Sequence, residues 1–88
     1  MKRKRRAITR YVLVSSEEEA AKLSELTSDL WSHVYDPIDC KLLLGYDSGM
    51  WVVRYYLYKE DFDVIIKGLG LKRYRSISDT RVWVYGGS

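Results

Sequence analysis

The chain of 88 residues has few of the residue types that define small secreted, metal-binding or membrane-spanning proteins. A single cysteine, Cys40, excludes an internal disulfide and indicates a reduced, intracellular setting. One cysteine and one histidine, His33, cannot supply a tetrahedral zinc site unless carboxylates join them. No apolar run is long enough to cross a membrane or to form the core of a secretory signal. We therefore expect a cytoplasmic protein that binds no metal or cofactor of its own and does not enter a membrane.

Positive charge is concentrated in two short segments. The formal net charge is +3, but residues 1–10 contain six cations and no acid, so acids outnumber bases in the remainder. Residues 1–6 offer no apolar side chain after Met1 and predict a basic arm, followed by a single domain over residues 7–88. A second cluster, Lys72, Arg73 and Arg75, surrounds Tyr74. Cations mixed with aromatic rings are typical of nucleic-acid binding, although a solubilising tail or a targeting signal is the alternative for the arm.

Hydrophobic patterning predicts four strands and two helices in the order β-α-β-β-α-β. Ser16 and Glu19 form a capping box, and apolar residues at spacings of three and four predict a helix from Glu17 to about His33, which Pro37 ends. The other predicted elements are strands at 7–14, Cys40–Tyr46, Met50–Tyr58 and Thr80–Tyr85, a hairpin turn at 47–49, a helix from Lys59 to about residue 69, and a basic loop at 71–79. This order is typical of a two-layer α+β ferredoxin-like fold, with a four-stranded antiparallel sheet and two helices on one face.

The sheet face away from the helices is expected to be apolar as well. In the predicted strand Met50–Tyr58, both sets of alternating residues are mostly apolar or aromatic. Either loops or the arm cover this second face, or it binds a protein partner or stacked bases.

No group of side chains in the sequence is typical of catalysis. His33 near a predicted helix end favours a surface or capping role, and Cys40 favours an inert, partly buried thiol. Asp36 and Asp39 are read as turn carboxylates beside a proline, and no glycine-rich phosphate loop precedes a helix. We expect no catalytic residues.

The RNA recognition motif, an RNA-binding fold, has the same strand order as the one predicted here. Its third strand follows a Lys/Arg-Gly-aromatic pattern. Aligned from Ser48, the chain matches this pattern at Gly49, Val53 and Tyr55. Met50 and Val52 occupy the two base-stacking positions, so a standard reader of single-stranded RNA is disfavoured.

Three stretches of the chain stand in a particular order and spacing. In the first, the basic arm runs into Arg10-Tyr11-Val12-Leu13-Val14-Ser15. In the second, Gly45-Tyr46-Asp47-Ser48-Gly49-Met50-Trp51-Val52-Val53-Arg54 is followed by an apolar helix at Phe62–Leu69. The third is the last predicted strand and its turn, Val82-Trp83-Val84-Tyr85-Gly86-Gly87-Ser88. Together they resemble the small ferredoxin-like protein component 2 of archaeal and eukaryotic RNase P, which eukaryotes share with RNase MRP. Family members continue into a helical tail, so a chain that stops at Ser88 would be a shortened member.

The resemblance implies a non-catalytic subunit that stabilises the catalytic RNA of RNase P for removal of the 5′ leader from precursor tRNA. The implied partners are the RNase P RNA with its Mg²⁺, a TIM-barrel-like protein component 3, and a second copy within a heterotetramer. RNA contacts are then expected at Lys2, Arg3, Lys4, Arg5, Arg6, Arg10, Arg54, Lys72, Arg73 and Arg75, and protein contacts at Trp51, Tyr56, Tyr58, Trp83, Tyr85, Gly86 and Gly87. The alternatives are a ferredoxin-like protein-interaction or small-ligand regulatory module, and a small enzyme of that fold.

Overall fold

The computed structural model describes residues 6–45, 47–74 and 82–86. Over these residues the chain is an α+β protein with three helices and one sheet of five strands. The elements are β1 (Ala7–Val14), α1 (Glu17–Leu26), β2 (Trp31–Tyr35), α2 (Pro37–Leu44), β3 (Trp51–Tyr58), α3 (Lys59–Leu69), β4 (Lys72–Tyr74) and β5 (Val82–Val84). The predicted strand at 7–14, the strand ending at Tyr58 and the helix beginning at Lys59 are confirmed.

The sheet is mixed, with the strand order β2-β3-β1-β5-β4. β3 is antiparallel to both β1 and β2, β4 is antiparallel to β5, and β5 runs parallel to β1. The expected four-stranded antiparallel sheet is therefore wrong in strand number and in direction. The difference arises because Lys72–Tyr74, predicted as loop, forms a short edge strand that reverses the chain before β5.

One sheet face, which we call the first face, packs against α1 and α3. Alternate residues of β1 and β3, including Val12, Val53 and Tyr55, are completely buried there. Leu23 of α1 and Phe62 of α3 complete the same cluster. The expectation that two helices share one face is met by α1 and α3, whose apolar side chains follow the helical period.

The second face carries a smaller core beneath α2. Cys40 and Leu44, one helical turn apart, pack with Leu13, Val52 and Val82. The predicted strand at Cys40–Tyr46 is thus wrong over its described residues, which belong to a helix. Part of the second face is accordingly covered by an element of the domain itself.

The start of α2 carries helix signals that the run of leucines obscured. Asp36 is the N-cap, and its Oδ1 accepts a 2.9 Å hydrogen bond from the Asp39 backbone N–H. Pro37 occupies the first turn, where a fixed φ and a missing N–H are tolerated. Gly45 ends the helix with φ +78°. Pro37 therefore begins a helix, and the interpretation that it only ends one was wrong.

Helix α1 ends at Leu26, and the expectation that it continues to His33 is wrong. Thr27, Ser28 and Asp29 are poor helix formers that prefer turns, and the next residues form β2. Leu30 and Val34 still pack on the first-face core, as a continued helix would have required. Leu30 and Val34 are four residues apart, as in a helix, but they lie in a turn and in the strand that follows it.

The turn before β3 has the predicted conformation but joins different elements. Gly49 has φ +68°, and its N–H donates to Asp47 Oδ1 at 3.0 Å. It links α2 to β3, whereas a hairpin between two strands had been expected.

Candidate nucleic-acid interface

The part of the second face that α2 leaves open is rich in aromatic side chains. Strand register places the side chains of β2 on this face directly beside those of β3, with Trp31 opposite Tyr56 and His33 opposite Arg54. Trp31 is 57% exposed and Tyr56 is 54% exposed. We define the aromatic patch as Trp31, His33, Tyr35, Arg54, Tyr56 and Tyr58.

Arg54 lies at the centre of the aromatic patch. Its guanidinium carbon is 5.1 Å from the ring centroid of Tyr35 and 5.9 Å from that of Trp31. Both distances are in the range of cation–π attraction. His33 and Tyr35 pack with centroids 4.5 Å apart, and Trp31 meets Tyr56 edge to face at 6.1 Å. Trp31, Tyr56, His33 and Tyr35 are therefore linked through ring contacts and Arg54, and Tyr35 also packs against the core beneath α2.

β1 extends the aromatic patch by a third strand. Ala7, Thr9 and Tyr11 lie opposite Tyr58, Tyr56 and Arg54, so they share its face. None of the strand residues on this open surface is acidic, whereas Asp and Glu recur along α1 and α3 on the other side of the sheet. An anionic ligand therefore meets no carboxylate from the strands on the open surface.

The basic arm is attached at the same end of the sheet as the open surface, and the second basic cluster runs toward that end along β4. The arm precedes Ala7, which pairs with Tyr58. The parallel pairing of β5 with β1 begins at Val82 opposite Tyr11, and Tyr74 pairs with Val82. The chain thus leaves β4 and enters β5 at the end of the sheet where β1 begins. α2 lies at the opposite end, over Val52 and its neighbours.

The predicted RNA-contacting residues fall into three groups. Lys2, Arg3, Lys4, Arg5 and Arg75 lie outside the described residues. Arg6, immediately before β1, and Lys72, on the edge strand, are exposed, and Arg54 belongs to the aromatic patch. Arg10 and Arg73 lie on the first face, so the structure does not bring all of these cations to one surface.

Arg10 and Arg73 converge on Trp83 of β5. Their guanidinium carbons are 5.9 Å and 5.1 Å from the Trp83 ring centroid. Phe62 of α3 packs edge to face on the same ring, with centroids 4.7 Å apart. Two arginines held at one half-buried ring form a second, smaller cationic site beside α3.

The predicted protein-contacting residues are divided between the two faces. Tyr56 and Tyr58 belong to the aromatic patch, but Trp51 and Trp83 pack on the first-face core and Tyr85 is buried in it. Gly86 is exposed after β5, and Gly87 lies outside the described residues. These side chains do not form one continuous surface.

Trp31, His33 and Tyr35 are the patch residues that sequence reasoning missed, because it assigned Trp31 and His33 to a helix. Their signal is present in the sequence: Trp-Ser-His-Val-Tyr alternates rings with smaller side chains at the period of a strand. The pattern of the RNA recognition motif compared above covers only a third strand, so it does not bear on the rings that β2 supplies.

Two buried groups have altered acidity. Burial raises the pKa of the Cys40 thiol, which the nearby Asp47 carboxylate raises further and a hydrogen bond to Ser48 partly opposes. A raised pKa leaves less of the nucleophilic thiolate at neutral pH. Burial also raises the pKa of Tyr55, whose hydroxyl bonds to Thr27 Oγ1 at 2.9 Å. Within the described ranges, no three His, Cys, Asp or Glu side chains come together as a metal site.

No helix among the described elements has the length and apolar content needed to cross a membrane. A scan against protein-family models and searches of curated proteins and of solved structures each find no match.

Proposed function

We propose that this protein binds RNA through the aromatic patch and the basic arm, as a non-catalytic subunit of a ribonucleoprotein. One observation carries the proposal: an open aromatic surface with no acidic strand residue lies at the end of the sheet to which the basic arm is attached. The arm supplies cations that can neutralise phosphates and release counterions. The rings supply flat surfaces on which bases can stack.

The resemblance to protein component 2 of RNase P suggests the ribonucleoprotein. In that role the RNA performs the Mg²⁺-dependent cleavage of precursor tRNA, and the protein stabilises the fold of the RNA. A TIM-barrel-like subunit and a second copy of this chain would complete the assembly. We further propose that the sheet derives from a ferredoxin-like sheet by insertion of β5 and of α2. In support, β1 and β2 run parallel around β3, joined through α1.

RNA binding is tested by titrating a structured RNA with the full chain at several salt concentrations. We expect log affinity to fall steeply with log salt, and deletion of residues 2–6 to reduce the slope by roughly 4, because five arm cations are lost. Arg54→Gln should weaken binding about 5- to 10-fold, as expected for one charged contact.

The control for these variants is Val64→Ala, on an exposed position of α3 away from the second face, which should leave affinity unchanged. A slope near zero, or full affinity after deletion of the arm, contradicts RNA binding. The RNase P assignment needs a separate test, cleavage of precursor tRNA at low magnesium by the RNA subunit with and without this chain. Equal rates would remove that assignment and leave RNA binding to be judged by the titration.

A second candidate function, docking of a protein partner, is favoured by apolar side chains exposed on the helices. Ile38 is 74% exposed and Leu42 is 78% exposed, and they lie one turn apart on α2. On the other side, Leu26 is 55% exposed beside a groove of about 320 Å³ between α1 and α3. If protein docking were the only function, removal of the arm would not change affinity for the partner, whereas Leu42→Asp would.

A further inference from the structure

We propose that the aromatic patch selects unpaired nucleotides over duplex RNA, with Trp31 and Tyr56 each stacking on one base. This inference rests on the proposed RNA binding and names the form of RNA that the patch accepts. It assigns a function to Trp31, a residue that the predicted helix had placed outside the sheet.

Trp31 and Tyr56 are suited to stacking because their rings remain accessible while their backbones are fixed. They lie opposite each other on paired strands, and each residue is more than half exposed. Their ring planes are inclined by 85° with centroids 6.1 Å apart, so the two rings present differently oriented surfaces. Two bases that stack on them must be separated from each other, which an unpaired strand permits and a duplex does not.

Arg54 adds a charged group at the point where these bases would meet the sheet. Contacts with Trp31 and Tyr35 hold the guanidinium among the rings. From there it can stack on a base or bind a phosphate of the same strand, as arginine does in complexes with single-stranded RNA. Ring and cation thus recognise features that every nucleotide has, so we expect little dependence on base identity.

The shape of the second face also disfavours a duplex. α2 packs on the same face, over Val52 and Leu13, and a helix with its side chains is about 10–12 Å across. The patch is therefore bordered by a step at one end of the sheet. A strand one base thick can lie beside this step, whereas a rigid duplex keeps its base faces stacked inside and offers only backbone to the rings.

The experiment compares an oligouridylate of about twelve nucleotides with the duplex of the same length that it forms with oligoadenylate. Affinity is measured by fluorescence anisotropy of labelled RNA, and stacking by quenching of tryptophan fluorescence. We expect the single strand to bind at least 10-fold more tightly at equal salt, with quenching that saturates.

Trp31→Leu keeps an apolar side chain but removes the ring. We expect it to weaken single-strand binding about 5- to 100-fold, to leave duplex binding unchanged and to preserve the salt slope, since no cation is lost. Tyr56→Leu tests the second ring in the same way, and it keeps the test valid if Trp31→Leu fails to fold by circular dichroism. Val64→Ala is the matched control on an exposed apolar residue of the opposite side.

The outcomes separate this inference from the RNA-binding proposal. If neither RNA form binds, both proposals are wrong. If both forms bind with a steep salt dependence but equal affinity, or if both ring variants bind the single strand normally, RNA binding stands and the stacking inference is overturned.

Discussion

The two faces of the sheet are both apolar, but they are covered to different extents. On the first face, Val12, Val53 and Tyr55 are fully buried beneath two helices. On the second face, Val52 is equally buried while Tyr56, four residues further along the same strand, is more than half exposed. The reason is length: eight residues of α2 extend about 12 Å, whereas the eight residues of β3 extend about 26 Å.

This difference shows how one sheet can serve folding and binding together. The first face carries the larger of the two clusters of buried apolar residues and so the larger share of the hydrophobic stabilisation. The second face is stabilised by α2 at one end. At its other end aromatic rings remain exposed to solvent, although exposure of these rings does not stabilise the monomer. Mutations should therefore affect stability on the covered surfaces and binding on the open surface.

The largest expected loss of stability comes from removing an aromatic ring of the first-face core, and it is compared here with the loss of a ring on the open surface. Phe62→Ala creates a cavity in the first-face core and should lower the free energy of unfolding by about 3–5 kcal/mol. Tyr56→Ala removes a ring from the open surface and should cost about 1 kcal/mol, mainly its contact with Trp31. Urea unfolding measures both, and similar losses would mean that the open surface is not open in solution.

The second effect tests the cover on the second face. Leu44→Ala should cost about 2–4 kcal/mol because Leu44 is buried, whereas Leu42→Ala should change stability by less than about 0.5 kcal/mol. In the strand first predicted for this segment, residues 42 and 44 would share a face. Equal losses for the two variants in thermal or urea unfolding would therefore favour the strand over the helix.

A smaller effect concerns the buried hydrogen bond on the first face. Thr27 Oγ1 donates to the Leu23 carbonyl at 2.8 Å, so the Tyr55 hydroxyl donates to Thr27 Oγ1. Tyr55→Phe leaves the Thr27 donor satisfied and should cost about 0.5–1.5 kcal/mol. Thr27→Val leaves the Tyr55 hydroxyl buried without a partner and should cost about 1–3 kcal/mol. The reverse order in matched urea titrations would contradict this arrangement of donors.

The smallest effect is a loss of stability at high pH. One buried group on each face contributes to it, and the two groups titrate at different pH values. Burial raises the pKa of Cys40 above its ordinary 9.0 and that of Tyr55 above its ordinary 10.0. The unfolded chain therefore loses these protons first, so stability is complete below pH 9 and falls as pH rises above it. At pH 9.5 the loss should be about 1 kcal/mol or less.

The two groups can be separated by mutation. Cys40→Ala should flatten the dependence of stability on pH between 9 and 10, and Tyr55→Phe should flatten it above 10. If both variants keep the pH profile of the natural sequence, measured by urea unfolding at each pH, neither group is responsible for the loss.

Much of the local structure could be read from the residues in sequence. The Ser16 cap, the apolar alternation of β1 and β3, and the stripe of α3 each depend on neighbours within a few positions. The same local evidence failed at residues 27–44. There, Leu30 and Val34 have a helical spacing but lie in a turn and a strand. The run of leucines in α2 favoured a strand in the prediction, although the Asp36 cap indicates a helix.

For the candidate site, the sequence alone predicted the two basic segments and an apolar second face of the sheet. It could not identify the aromatic patch, because that patch depends on the register that sets Trp31 beside Tyr56 and His33 beside Arg54. It also grouped Tyr56 with Trp83, although the two lie on opposite faces.

The sequence by itself determined the charge asymmetry, an α+β composition of elements and an apolar character on both sides of the central strand. Only the tertiary structure decided which half of the second face is covered and which cations share a surface. The physical reason is that burial and register are set by strand pairing across long sequence distances. A short helix can cover one end of a strand and leave the other end, with its rings, exposed to solvent.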